Sequence, residues 1–377
     1  MPSTSLFSYH GNYSSNNGQK LSEFLLTPAN VNSNSFGKLF STPVDGQVFA
    51  EPLVVAGVSI PGQGIHNVVY VATEHDSVYA IDENSGQILW HDSFINPSAG
   101  VTTVPSADVL SVDISPEYGI TSTPVIDPTS NTIYVVANTK ETGSGSYHNV
   151  YRLHALDLGT GQEKFGGPVV VADTIWNGGN SFTFVSGPYV MGSGDGGGNG
   201  KITLNAVRQL QRAALTLSNG VVYLGFGSHN DQDPYHGWIV GYNAQTLQLS
   251  AVFNSTPNGL EGGIWEGAGK FAIDSQGDLY ASTGNGTFDA TLNASGLPNM
   301  GDYGDSVIKL APDPTTSASN QNANGWGLKV VDYFTPFNQQ TLATTDQDLG
   351  SGDILLLPAS VGSAAHPNTS IRCSSRM

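Results

Sequence analysis

Cysteine is nearly absent: of 377 residues only Cys373 carries a thiol. A lone thiol makes no internal disulfide and no thiolate metal cluster, so stability must come from the packed core. Basic residues are scarce too, 13 Lys plus Arg against 31 Asp plus Glu, for a formal charge of −18. Such a surface repels phosphate backbones and anionic lipid, which argues against a nucleic-acid partner and a polybasic membrane anchor. No apolar run reaches the roughly 18 residues of a membrane span. Residues 1–20 lack the basic start and apolar stretch of a secretory signal. The patterns G-x-S-x-G, H-E-x-x-H and C-x-x-C do not occur, so nucleophilic hydrolysis and zinc chemistry have no support.

What the chain does have is glycine, 46 residues of it, with 20 prolines and 38% hydrophobic residues. That is enough apolar material for a core, cut into short lengths by turns. The apolar runs are β-branched and alternating: Val68–Ala72, Thr132–Val136, Val221–Phe226, Gly237–Tyr242 and Asp278–Ser282. This is the pattern of many short antiparallel strands. Helical periodicity is confined to a possible turn over Leu21–Leu26. The fold class is all-β.

The strands repeat as a unit. A small-residue strand ending in an apolar run begins each one, at Ala50–Val55, Thr121–Ile126, Arg212–Leu217, Ala268–Ile273 and Ser351–Leu356. A turn, a strand of the form Val-Tyr-Val-Ala-Thr and two further strands follow. Repeated four-stranded antiparallel sheets read as the blades of a β-propeller. About four and a half blades are marked, as if cut from a seven- or eight-bladed ring. The organisation expected is an N-terminal extension over 1–35, the incomplete propeller over 36–358 and an irregular tail over 359–377. Within it, Phe36–Pro43 reads as an outer strand that would close a last blade, and Ser193–Gly200 as an exposed, flexible glycine-rich loop.

The most specific motif is Ala80-Ile81-Asp82-Glu83-Asn84-Ser85-Gly86-Gln87-Ile88-Leu89-Trp90. Ser85-Gly86 suits a tight turn, Asp82 can accept from turn amides, and Trp90 can fill space between sheets. A second copy, Ala155–Phe165, has Phe in place of Trp, and a weaker third spans Gly241–Leu247. The motif resembles the tryptophan-docking repeat of the quinoprotein, or PQQ-like, β-propellers, over most of residues 36–357. Ala80, Asp82, Gly86 and Trp90 are its structural docking residues.

The resemblance implies a possible cofactor pair, PQQ and calcium, and a location outside the cytoplasm, extracellular or periplasmic. It implies Trp265, in Gly262–Gly267, as the ring on which the quinone stacks. Asn285, in Thr283–Gly286, is implied as a metal ligand, with Asp231 or Asp233 as a substitute carboxylate, and Asp348 as the catalytic base. Each also has a purely structural role open to it, in packing or in a turn. The chain departs from the family's dehydrogenases in lacking the adjacent cysteine pair, and no Glu occurs in Phe226–Asp233, where their glutamate ligand is expected.

Two polar clusters sit between strands: Glu74-His75-Asp76, and a loop holding His229, Asp231, Asp233 and His236. They read as binding loops, since loops on a rigid scaffold collect binding residues, or as groups that satisfy turn amides. Two functions follow. One is a binding propeller without catalysis, taking a carbohydrate, a small molecule or a protein. The other is a quinoprotein-like oxidoreductase acting on alcohols or sugars.

Overall fold

In the computed structural model the described residues are 5–11, 26–34, 36–143, 146–347, 349–357, 359–363 and 370–372. Residues 21–25 of the expected helical turn, Asp348 and Cys373 lie outside them.

Four antiparallel meanders follow one another along the chain. Blade 1 is Leu53–Ile60, Gly64–Ala72, Ser77–Asp82 and Ile88–Ser93, paired in sequence order. Blade 2 is Val125–Asp127, Thr132–Gly143, Ser146–Asp157 and Val169–Trp176, with Phe182–Ser186 added to its outer edge. Blade 3 is Thr216–Ser218, Val221–Ser228, Trp238–Asn243 and Leu249–Asn254. Blade 4 is Ala272–Ile273, Leu279–Ser282, Val307–Asp313 and Gly325–Phe334. A fifth sheet begins with Ile354–Leu356, which pairs with Ser370–Arg372, so part of the stretch expected to be an irregular tail is strand.

The sheets stack face to face because their middle strands are apolar on both sides. In blade 2, Ile133, Val135 and Ala137 enter a core shared with blade 1, while Tyr134 and Val136 enter one shared with blade 3. The alternation of side chains along a strand thus serves two interfaces at once. A third core joins blades 3 and 4. The outermost strands are mixed instead: Ile88–Ser93 carries exposed Ile88, His91 and Ser93 beside buried Leu89 and half-buried Trp90 and Asp92. The first strands of neighbouring blades lie against each other, Val125–Asp127 on Thr216–Ser218 and Ala272–Ile273 on Ile354–Leu356. They therefore line the centre, and the architecture is an antiparallel β-propeller.

The turn motif explains one joint. Asp82 Oδ1 accepts from the Asn84 and Ser85 amides at 3.1 and 2.7 Å and from the Ser85 hydroxyl at 2.7 Å. Gly86, at φ +74°, takes the left-handed position that a side chain would strain. Trp90 then reaches across to blade 2, where its Nε1 donates to the Leu158 carbonyl at 3.0 Å and its ring lies over Gly161.

Three local readings change. Phe36–Pro43 forms no strand; it crosses the blade 1 turn irregularly, with Thr42 Oγ1 donating to the Gly86 carbonyl at 2.7 Å. The Ser193–Gly200 loop is exposed but tied down, since the Gly194 and Asp195 amides donate to the Pro257 and Gly259 carbonyls at 3.0 and 2.9 Å. A short helix, Gln339–Thr344, arises where no helix was expected.

Candidate functional site

Where the chain enters its innermost strands, four blades contribute to one cavity of about 440 Å³. Its walls include Phe49 ahead of blade 1, Arg212 ahead of blade 3, Trp265 ahead of blade 4 and Ser351 ahead of the fifth sheet, with Asp113, Asn230 and Asp231 around them. Trp265 and Asp231, named from separate motifs, share this cavity. Arg212 was not anticipated as a site residue, because a single Arg at the head of a strand carries no motif.

Trp265 is half-buried and held by backbone. A Cβ on Gly227 would stand 2.3 Å from the indole, and one on Gly263 would stand 2.4 Å from it, so glycine at both positions lets the ring lie directly on the chain. Its Nε1 donates to the Ser228 carbonyl at 3.3 Å, and the Tyr235 ring meets it edge-on at 6.1 Å. Asp231 sits at φ +45°, a conformation Asp tolerates, and its Oδ1 accepts from the Ser228 hydroxyl at 3.0 Å and the Tyr235 hydroxyl at 2.9 Å. Burial pushes the Arg212 guanidinium below its ordinary value, and the opposing charges it feels come from Glu74 and Tyr9.

Asn285 is buried in its turn. Its Nδ2 donates to Asp346 Oδ1 at 2.6 Å, and its carbonyl accepts from the Gly262 amide at 2.5 Å, which places the turn beside the Trp265 segment. Among the described residues, no group of three or more His, Cys, Asp or Glu side chains comes together in a way that could hold a metal ion. Two acids come from the Trp265 segment itself. The Glu261 backbone bridges His236 on one side and Gly286 on the other, and burial, with Asp233 and Asp231 nearby, pushes its carboxyl up to about 7. Glu266 is fully buried, with Oε1 accepting from the Ser282 amide and hydroxyl at 2.6 and 3.1 Å. Neither stood out in the sequence, where the search for a glutamate centred on 226–233.

Of the two loops read as binding loops, Glu74, Asp76, His229 and His236 are internal, while Asp231 and Asp233 are exposed. Glu74 and Asp76 are buried, at 1% and 0% exposure. The hairpin turn that carries them tucks against the chain entering blade 2: Glu74 Oε2 accepts from the Gly119 amide at 2.8 Å and the Thr121 hydroxyl at 3.0 Å. Asp76 Oδ1 accepts from the Asn138 amide at 3.2 Å. Burial pushes the Glu74 carboxyl up to about 7 and Asp76 well above the carboxylate range. His75 is turned outward, with Nδ1 2.8 Å from Glu117 Oε1. His229 and His236 are also buried, His236 between Thr256 Oγ1 at 2.9 Å and the Asp195 carbonyl at 2.8 Å, while Asp233 stays exposed.

Residues 5–11, expected to be part of an N-terminal extension, pack against the innermost strands of blades 1 and 2. Leu6 forms a bridge with Val54, and the Phe7 carbonyl accepts from the Ile126 amide at 2.8 Å. The His10 amide donates to Glu51 Oε2 at 2.9 Å. Lys270, 1% exposed, donates to the Tyr9 carbonyl at 3.1 Å and approaches the Ser8 hydroxyl at 3.4 Å.

No family model matches the chain, and no curated protein matches its sequence. Among solved structures, the quinohemoprotein alcohol dehydrogenase of Pseudomonas putida HK5 aligns with 84% of this chain and 38% of its own, at 16% identity and a TM-score of 0.44. That of Comamonas testosteroni aligns over 87% and 39%, at 16% identity and a TM-score of 0.43. BamB from Moraxella catarrhalis aligns over 78% and 77%, at 14% identity and a TM-score of 0.32. The chain thus spans less than two fifths of the length of either dehydrogenase.

Proposed function

We propose that the protein is a binding propeller whose ligand is a small molecule with one flat face and a carboxylate group, taken into the cavity beside Trp265. The observation that carries this reading is the pairing of an indole with the Arg212 guanidinium on the walls of a single cavity of about 440 Å³. An aromatic face accepts a planar ring or the apolar face of a sugar, and a guanidinium accepts a carboxylate through two parallel N–H bonds. Asp113, Asp231 and Asn230 offer partners for ligand hydroxyl or amine groups. The chain's resemblance to exported propellers supports work outside the cytoplasm. Among the described residues no helix is long and apolar enough to cross a membrane.

The oxidoreductase reading is kept as the second, because the Asn285 turn is bonded directly to the Trp265 segment. PQQ is itself a flat polycarboxylate, so Trp265 and Arg212 fit its organic part, and when bound it would supply hydride acceptance. The metal half fits less well, since among the described residues no group of three or more His, Cys, Asp or Glu side chains comes together that could hold an ion. No reaction step is derived through the cofactor.

Tryptophan fluorescence and calorimetric titration separate the readings. PQQ with and without Ca²⁺, and a sugar acid such as glucuronate, are titrated into the wild type and Trp265→Phe. Saturable binding of either ligand that weakens in the variant supports the binding reading. A requirement for Ca²⁺ together with dye-coupled alcohol oxidation supports the second. Identical titrations of the two proteins would remove the cavity from the account.

A further inference from the structure

A buried arginine without a counter-ion lies between blades 2 and 3. Arg208, 2% exposed, directs Nη2 at the Gly179 carbonyl (3.3 Å) and at Asn180 Oδ1 (3.0 Å), and its guanidinium carbon lies 5.3 Å from the Phe182 ring centroid. It thereby clamps the turn that ends blade 2. Its Nε and Nη1 are buried and meet no acceptor among the described residues. The acid whose charge it feels is Asp233, on an exposed loop and not in ion-pair contact.

Other donors in the same region are equally unmet. The Asn205 carbonyl accepts from the Arg208 amide at 3.1 Å, while its own Nδ2 is buried without a partner. His229 is fully buried, its amide donates to the Arg208 carbonyl at 3.0 Å, and its ring faces the Gln209 backbone. The edge contact of its ring with Tyr118, 4.5 Å between centroids, fixes the imidazole in place. The buried Tyr147 hydroxyl, also unpartnered, lies within electrostatic reach of Arg208. Water can satisfy these donors, but it cannot neutralise a guanidinium held out of solvent, and buried charges in proteins are paired. The missing partner therefore carries negative charge.

We propose that the interface between blades 2 and 3 binds a small monovalent anion of about chloride size on Arg208 Nε and Nη1, with Asn205 Nδ2 as a neighbouring donor. The anion neutralises the clamp on the Gly179–Asn180 turn. This site adjoins the Trp265 cavity, whose walls include Leu210, Ser228 and Asn230, but does not depend on the function assigned there. In a surface as acidic as this one, a preformed internal donor set is what lets an anion compete at all.

Thermal unfolding of the full chain at fixed pH and ionic strength tests it, with sodium chloride replacing sodium gluconate, whose anion is too large to enter. The expected result is a saturable rise in Tm with chloride, as for any ligand that binds only the folded state, and its loss in Arg208→Met. Should Arg208→Met fail to fold, Arg208→Lys keeps the charge without the fork and should weaken the chloride response at least fivefold. A bromide-soaked crystal gives a readout free of variants: an anomalous peak beside Arg208 Nε is expected. Equal Tm in the two salts, an unchanged chloride response in both variants, or a water without anomalous signal at that position would overturn the proposal.

Discussion

Glu74 shows how a side chain that reads as a binding residue in sequence becomes a source of pH dependence in the fold. Burial raises its carboxyl from 4.5 to about 7. The native state then holds a proton that the unfolded chain has released, so the stability linked to Glu74 is complete below about pH 4.5, falls as the pH rises and is gone above about 7. His229 works the other way: burial and the Arg208 charge push it down to about 3, so its contribution is lost as the pH falls below 6.5. The two partly cancel in the wild type, and the difference between wild type and Glu74→Gln isolates the first. We predict that Glu74→Gln matches the wild type near pH 4.5 and exceeds it at pH 8 by up to about 3 kcal/mol. Thermal unfolding at both pH values checks this, and parallel curves would contradict it. Trp90 offers a second test at this scale. Trp90→Ala should cost about 2–4 kcal/mol of stability in chemical unfolding through lost packing on blade 2, and Trp90→Phe only about 1, chiefly the hydrogen bond to Leu158. Equal costs would place the energy in the hydrogen bond instead. Such residues were legible to different degrees. The turn roles of Asp82 and Gly86 follow from their chemistry, whereas the burial of Glu74 depends on Gly119 and Thr121, distant in sequence, and no local pattern announces it.

At the scale of elements, the strands were legible because each middle strand must be apolar on two faces and each turn needs its Asp, Asn or Gly. The expected runs at Val68–Ala72, Thr132–Val136, Val221–Phe226 and Asp278–Ser282 fall within or overlap observed strands. A recurring joint was visible only afterwards. Tyr70 donates to the Leu158 carbonyl at 2.8 Å and Tyr134 to the Ala244 carbonyl at 2.7 Å, each from the second strand of one blade to the turn of the next. The tyrosines recur in the Val-Tyr-Val strands, but their acceptors are backbone and leave no trace in sequence. The segment over residues 5–11 was missed for a related reason, since polar residues that end up packed against strands look like any exposed tail. Its removal should cost about 3 kcal/mol from the lost packing of Phe7 and the hydrogen bonds to Glu51 and Ile126. It should also return Lys270, which burial holds down to about 8, towards an ordinary lysine. Unfolding of a chain lacking residues 1–11, with titration of Lys270 by NMR, checks both; an unchanged midpoint would show that the segment adds no stability.

Over the whole molecule, the stacking of blades brings together residues that no motif links. Phe49, Arg212, Trp265 and Ser351 come from four separate repeats and meet because each lies just ahead of an innermost strand. The repeat pattern predicts such a centre but not its lining: Trp265 was named from a family resemblance, as a ring under a cofactor, and Arg212, which carries no motif, was not named. The same geometry buries His229 and His236 and leaves Asn230 and Asp231 of that loop on the cavity wall. The central claim is that this cavity holds a carboxylate against Arg212. Calorimetric titration of PQQ, as a flat carboxylate probe, into the wild type and Arg212→Gln tests it most directly, with circular dichroism confirming that both are folded. The account predicts saturable binding to the wild type that is weakened tenfold or more in the variant, about 1.4 kcal/mol or greater. Binding of equal affinity to both proteins, or none to a well-folded wild type, would contradict it.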